Sequence, residues 1–573
     1  MSSSNKYFSK IYKIIPNTSK KKLANLIFLF LSSAVLEIIG IALIIPIIYL
    51  IADKSFLVSK IPYHFASDDN FSFILLASII FIYILKNILL IWILKKKAKL
   101  IFSIGNNLSS KIYQILLYKK YEFFRGKDTS KFIRNLVQDV NIFVVNIVLP
   151  VISISIELII ILFASLILFI TEPVFFLIIL LIGLLAGILY FKLYQKKLSI
   201  IGMEMLEAST KRIKLSRQGF DGIKDIIINQ NQNKFINLFL FHTGKFYNAT
   251  HRKYIASALP RFLIEIIFII AFGIFILLMI VRGDELKDIF LIIGIYAAIA
   301  FRLMPTFIKI YSEITNIKIS LPVINDLENI MFLGNEKNQI NVKEDEKKFS
   351  NIKLENEIAF EDIEFSYPDN NQKIFKNLNF KIKQGEKIGI IGESGSGKTT
   401  FVDLLTGLID PAKGQIKIDG LNLLNIKTNW FNLIGYMSQK FFIIDGTIRE
   451  NILFGNNNFS DEEIKKILQL VQFDDFNKNS KFNLDTLVDE NGTNFSGGQL
   501  QRLVLARTLL KKPEIVILDE CTSALDKDNE SKLLKNLINS DFLKTLIIIS
   551  HKKEALHFCD RILKVRDGNL EKE

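Results

Sequence analysis

Residues 388–400 read IGIIGESGSGKTT. An apolar strand pattern leads into Gly392-x-x-x-x-Gly397-Lys398-Thr399, and the apolar helix pattern FVDLLTGL follows from Phe401. Strand, glycine-rich turn and helix in that order are what a phosphate-cradling loop requires. Glycines at 392, 395 and 397 let the backbone curl so that the amides of Gly392, Glu393, Ser394, Gly395, Ser396, Gly397, Lys398, Thr399 and Thr400 face β and γ phosphates. Lys398 supplies a point charge, and the Thr399 hydroxyl suits magnesium. The predicted ligand is therefore ATP with Mg2+.

Farther along, IVILDE (515–520) is an apolar strand ending in two acids. Alone such an ending is common and structural. Behind a phosphate loop it suits Asp519 for the magnesium shell and Glu520 for a water-orienting base. A further apolar strand, TLIIIS (545–550), carries His551 at its end, within reach of a γ-phosphate.

NFSGGQLQR (494–502) separates this chain from generic phosphate-loop kinases and GTPases, and on it the second half resembles the ABC ATPase family. The resemblance implies roles for several residues. Tyr367 of FSYP is similar to the adenine-stacking aromatic, and Gln439 to the Q-loop glutamine that joins Thr399 and Asp519 around magnesium. Phe495, Ser496, Gly497, Gly498 and Gln499 resemble the signature that caps ATP from the opposite subunit. Ser523, Ala524, Leu525 and Asp526 resemble the D-loop. Phe495 stands where Leu is usual, Asp489 where Gly often precedes the acid now at Glu490, and Cys521 where a small Ala is usual. None of these departures removes a phosphate ligand. Signatures of this family act across a head-to-tail dimer, so the resemblance implies a homodimer with two equivalent sites, a heterodimer with a similar half being the alternative.

The first half is chemically different. Of the net charge of +15, residues 1–340 carry +18 and residues 341–573 carry −3. Mean hydropathy is +0.32, high for a soluble chain of 573 residues. Apolar segments near 23–51, 71–94, 131–170, 173–195, 262–282 and 286–310 are each long enough to cross a bilayer. Two are long enough to project beyond it, and the first is too long for a secretory signal. Basic residues crowd 95–99, 110–134 and 192–253, whereas 52–70 carries Asp53, Asp68 and Asp69. The positive charge thus reads as cytoplasmic anchoring and not as a nucleic-acid surface. The predicted location is a bacterial inner membrane, with the C-terminal half in the cytoplasm. Periodic polar stretches around 110–134 and 192–260 read as helices continuing into the cytosol, with turns near Arg125–Asp128 and Asp221–Asp225 placed to touch a soluble domain. Cys521 and Cys559 lack disulfide or metal spacing and read as free thiols.

The expected architecture is an α-helical transmembrane domain of six long helices fused to an α/β phosphate-loop ATPase domain. Its boundaries are 1–333 for the membrane domain, 334–352 for a charged linker, and 353–573 for the nucleotide-binding domain. This combination resembles type IV ABC exporters. A soluble ABC ATPase without a transport role is the competing class, and six apolar spans oppose it.

Within or beside the spans lie Glu37, Lys86, Glu157, Arg261, Glu265 and Arg302, and ionisable groups in lipid are costly enough to mark function. Lys86, Arg261 and Arg302 form the candidate substrate patch, although Arg261 and Glu265 are four residues apart and able to neutralise each other. The segments EIIGIALIIPII (37–48), LPRFLIEIIF (259–268) and FRLMPTFIKI (301–310) resemble the lipid-linked oligosaccharide flippases of bacterial protein N-glycosylation. That resemblance implies a glycolipid whose diphosphate needs cations. Drug, lipid A-type and peptide cargoes are the alternatives.

Overall fold

A computed structural model describes residues 9–43, 46–47, 71–171, 173–283, 286–334, 352–367, 373–473, 482–489, 492–520, 527–566 and 568–573. These residues divide into two units. The first comprises residues up to 118 and 126–337, and the second comprises 119–125 with everything from 338.

The first unit is helical throughout. Long helical stretches occupy Asn17–Ala42, Phe71–Leu117, 129–171, Pro173–Asp221, Gln232–Arg282 and Leu286–Leu333. Three of them, among the described residues, are long and apolar enough to cross a membrane: Ser72–Leu117, Thr129–Phe163 and Gln232–Arg282. Sequence singled out two segments as overlong, whereas four helices run to 47, 49, 51 and 48 residues. At about 1.5 Å per residue each is roughly twice the hydrocarbon thickness. The polar continuations are rich in good helix formers, so the helix does not stop where the apolar run does, and it runs on through Pro260 in one helix and through Pro305 and Pro322 in another. Breaks come where the sequence supplies them. Asp128 caps Thr129–Arg134 by accepting from the Ser130 amide, and Gly222 precedes the short helix Ile223–Ile228.

Apolar side chains along these helices face outward: Phe73, Phe81, Phe262, Ile269 and Val281 are all more than half exposed. A water-soluble bundle would bury that surface, and lipid is the solvent it fits. Inside the unit, helices Pro173–Asp221 and Leu286–Leu333 touch backbone to backbone at Gly202, where a Cβ would lie 1.9 Å from the Ile319 carbonyl oxygen. Polar grip comes from Arg134, whose buried guanidinium donates to Asp139 at 3.2 Å and also pairs with Asp326. Asn135 and Lys131 complete the set, at 2.7 Å from Asp139 and 3.0 Å from Asp326. Two five-residue π-helical segments, Asn135–Asp139 and Val144–Val148, interrupt this helix beside the network.

The second unit is α/β. Strands Ile434–Met437, Ile515–Asp519, Thr545–Ile549, Lys387–Ile391 and Arg561–Arg566 lie side by side in parallel, and Asn569–Lys572 closes the edge antiparallel. The central strands read as continuous Ile/Leu/Val runs because both faces are covered. A separate antiparallel sheet pairs Glu357–Phe365 with Phe375–Lys383 and Lys413–Ile418. Helix Lys398–Thr406 wedges its apolar side beneath that sheet, where Phe401 stacks on Phe360 at 5.0 Å. Trp430, fully buried, donates its indole N–H to the Leu405 carbonyl.

Candidate nucleotide site

Each candidate residue sits at a strand end or a helix start, where backbone groups are left over for a ligand. Strand Lys387–Ile391 ends at Gly392, and helix Lys398–Thr406 opens after Gly397. Gly395 and Gly397 have φ of 82° and 108°, which only glycine adopts without strain. At Gly397 a Cβ would also press on Ile374 at 2.9 Å. The Lys398 ammonium donates to the carbonyls of Gly392 and Glu393 at 2.6 and 3.0 Å, so the loop wraps its own cation.

Three neighbouring parallel strands deliver the rest. Ile515–Asp519 ends at Asp519 and Glu520, Thr545–Ile549 leads to His551, and Ile434–Met437 leads to Gln439. Gln439 donates its amide to Glu520 at 2.6 Å, and His551 Nε2 lies 3.3 Å from the other Glu520 oxygen. Glu520 itself has φ of 50°, a left-handed turn that a non-glycine residue holds at a cost, and its N–H is tied to the Ile549 carbonyl at 2.9 Å. Strained backbone at a carboxylate, in a cluster of polar side chains, is a recurrent mark of a reactive site. The structure therefore places Gln439 and His551 on Glu520, next to Asp519 and in electrostatic reach of Lys398.

Among the described residues there is no cluster of three or more His, Cys, Asp or Glu able to hold a metal by itself. Magnesium takes one or two protein oxygens and completes its shell with phosphate and water, and the Thr399 hydroxyl and Asp519 carboxylate carry oxygens that would suit it, with Gln439 beside Glu520.

The signature starts a helix. Ser496 caps Gly497–Leu509 by accepting from the Gln499 amide, and the Gln499 side chain returns to the Ser496 N–H at 2.7 Å. Phe495 is buried and stacks on Phe482 at 4.8 Å, which explains how an aromatic is accommodated where leucine is usual. Ser496 and Gly497 are exposed. Residues 523–526 and Cys521 lie outside the described residues, as does Glu490.

Sequence reasoning missed several participants. Tyr436 donates to Asp519 at 3.3 Å; burial, then the Asp519 charge, push the phenol upward from its ordinary range. Burial also raises the Asp519 carboxyl, with the Glu520 charge second. Tyr367 donates to or accepts from Thr400 at 2.9 Å, and its ring carries the Arg125 guanidinium. Thr400 belongs to the phosphate-loop pattern, whereas Arg125 is far from Tyr367 in sequence and no local pattern marks it as a partner of that ring.

Asp403, one turn into the phosphate-loop helix, is pushed up to about 6, chiefly by burial and against the pull of Arg125. A carboxyl raised in the folded state binds more protons there than in the unfolded chain between its two pKa values. Stability therefore falls as pH rises from about 4 to 6, and above that the full cost, at most about 3 kcal/mol, is present. Asp403→Asn is expected to raise the melting temperature of the ATPase unit at pH 7.5 and to leave it unchanged near pH 4. Melting curves across that range, with equal gain at both ends, would rule out the buried charge as the cause.

The substrate candidates stand in the first unit. Lys86 is buried, with its ammonium 4.1 Å from the Tyr83 ring centroid and pressed against the Gly40 backbone. Arg261 pairs with Glu265 at 2.8 Å. Arg302 belongs to helix Leu286–Leu333, and its side chain lies outside the described residues. Glu157 is buried and takes Lys309 at 2.7 Å.

With this geometry in view, the comparisons are specific. The family model for ABC transporters matches residues 375–523. The ATP-dependent permease MDL1 of Candida albicans is 42% identical over 223 residues, covering 38% of this chain and 33% of that protein. The leukotoxin translocation ATP-binding protein LktB of a Pasteurella haemolytica-like species is 37% identical over 224 residues, covering 39% and 32%. The chain thus spans about a third of these relatives in the matched stretch. In structure it is similar to a bacterial Atm1-family ABC exporter with ATP bound, at TM-score 0.79 and 18% identity over 96% of this chain and 95% of that one. The chain has the ABC exporter fold: a helical region fused to an ABC transporter ATP-binding domain.

Proposed function

We propose that this protein is an ATP-driven exporter working as a homodimer in a bacterial inner membrane, with its ATPase unit cytoplasmic. The observation that carries the reading is the convergence of Lys398, Asp519, Glu520, Gln439 and His551 at the ends of adjacent strands. Lys398 and the loop amides hold the phosphates. Glu520, steadied by the Gln439 amide and His551, orients water and takes its proton. Thr399 and Asp519 would hold Mg2+, which when bound would neutralise charge on the phosphate oxygens. Ser496 and the amides of Gly497 and Gly498 close on the γ-phosphate of the opposite subunit, and Tyr367 carries the adenine. Magnesium-dependent ATP hydrolysis by the purified full chain is the first test, and absence of turnover would overturn it.

The proposed cargo is a lipid-linked oligosaccharide or related glycolipid, moved from the inner to the outer leaflet. Lys86, Arg261 and Arg302 are cations on three different helices, and a diphosphate is a partner strong enough to repay their presence in low dielectric. Replacing all three by Gln is expected to slow glycolipid flipping in proteoliposomes by at least tenfold while basal ATP hydrolysis stays within about twofold. An unchanged flipping rate in a folded triple variant would dismiss the patch. Export of a polypeptide is the second reading, favoured by similarity to a protein named for leukotoxin translocation.

A further inference from the structure

The Tyr367 ring is half-buried. It packs against the buried core of this unit, with the Phe365 ring perpendicular to it at 4.9 Å. Over the ring lies the Arg125 guanidinium, its Cζ 3.1 Å from the centroid. Stacked aromatic rings need about 4.5 Å or more between centroids. No base fits between a guanidinium and a ring this close.

We propose that Arg125 is a built-in plug on the adenine platform, so that ATP binds by exchanging its base for the guanidinium. The inference rests on the ATP-binding reading above and adds a regulation to that site. A cation over a tyrosine is a favourable contact, and a base must outcompete it. Arg125 is itself exposed, so the released guanidinium passes directly into water.

The segment that carries Arg125 is held at a second place. Asp410, just beyond the phosphate-loop helix, accepts from Lys120 at 2.7 Å and also pairs with Lys427. Glu122 accepts the Asp410 N–H at 3.1 Å. Gly126 follows Arg125 with φ of 70°, a conformation in which glycine turns freely. Arg125 thus sits between an anchored helical turn, Tyr121–Phe124, and a glycine joint. Base exchange at Tyr367 changes the side-chain position at that joint, while Asp410 keeps the anchor in place. Residues 119–125 lie in the chain between Phe71–Leu117 and the helix that begins at Thr129.

The test uses full-length protein in nanodiscs and a fluorescent ATP analogue labelled on the ribose, with tripolyphosphate as a ligand that has no base. Arg125→Ala is expected to tighten analogue binding about two- to thirtyfold, the range a single cation–π contact supports, with Arg125→Lys between it and wild type. Tripolyphosphate, measured by competition, gains nothing. In a Tyr367→Ala background the gain from Arg125→Ala disappears. Unchanged or weaker analogue binding by Arg125→Ala overturns the plug, as does an equal gain for tripolyphosphate. If neither Tyr367→Ala nor Lys398→Ala weakens binding, the ATP-site reading itself fails and the plug goes with it. Melting temperatures of all variants separate these outcomes from loss of fold.

Discussion

Glu520→Gln is expected to lower ATP turnover by about 10²- to 10⁴-fold, the usual contribution of a positioned general base, while nucleotide remains bound. Glutamine has the shape of glutamate and occupies the same left-handed turn after Asp519. It keeps an oxygen for the Gln439 amide, which in the native chain reaches Glu520 at 2.6 Å. What it loses is the charge that draws a proton from water. Lys398, Thr399 and the loop amides are untouched, so the phosphates keep their ligands. Steady-state phosphate release together with equilibrium nucleotide binding separates the two functions. Turnover within threefold of wild type would remove Glu520 from the base role and shift attention to His551, the imidazole 3.3 Å away.

Ser496→Arg carries the second large effect, a loss of hydrolysis of at least a hundredfold. Ser496 is exposed at the start of helix Gly497–Leu509, where its hydroxyl and the following amides are available to a partner's γ-phosphate. In the proposed dimer an arginine there fills the space in which the two surfaces meet. The lost cap also costs the helix about 1 kcal/mol; Ser496→Ala removes the cap and the hydroxyl without adding bulk, so the difference between the two variants isolates the effect of the arginine. Mixing Ser496→Arg chains with Lys398→Ala chains then tests the shared site. In a mixed dimer the intact phosphate loop of the first chain faces the intact signature of the second, so one competent site is assembled. Recovery of activity on mixing is expected. Co-purified mixed dimers, verified by two different tags, that stay inactive at every ratio would sink the shared-site arrangement.

How much of this was readable beforehand depended on the range of the interaction. The phosphate loop, the strand ending in Asp519 and Glu520, and the signature stretch 495–499 are local: their residues are neighbours in sequence. Hydropathy likewise marks the long helices, because lipid demands an unbroken apolar run. The pairing of Arg261 with Glu265 was equally visible at its spacing of four. What sequence could not supply were contacts made by packing elements far apart in the chain. Glu157 meets Lys309 across 152 residues, and Tyr436 meets Asp519 across 83. The two π-helical segments beside Arg134 were illegible for a different reason. An extra residue in a helical turn leaves no compositional mark, and its stabilisation lies in the surrounding packing.

The membership of residues 119–125 in the second unit bears on how that unit is to be cut out for study. A soluble fragment beginning at the natural-looking border near residue 338 would carry every phosphate ligand and still be seven residues short. Asp410 would face solvent without Lys120 and Glu122, and Tyr367 would present a bare ring. Affinities measured on such a fragment describe a platform stripped of its cover. The smallest faithful piece for nucleotide work is one in which the excised turn is supplied back as a peptide or fused through a linker.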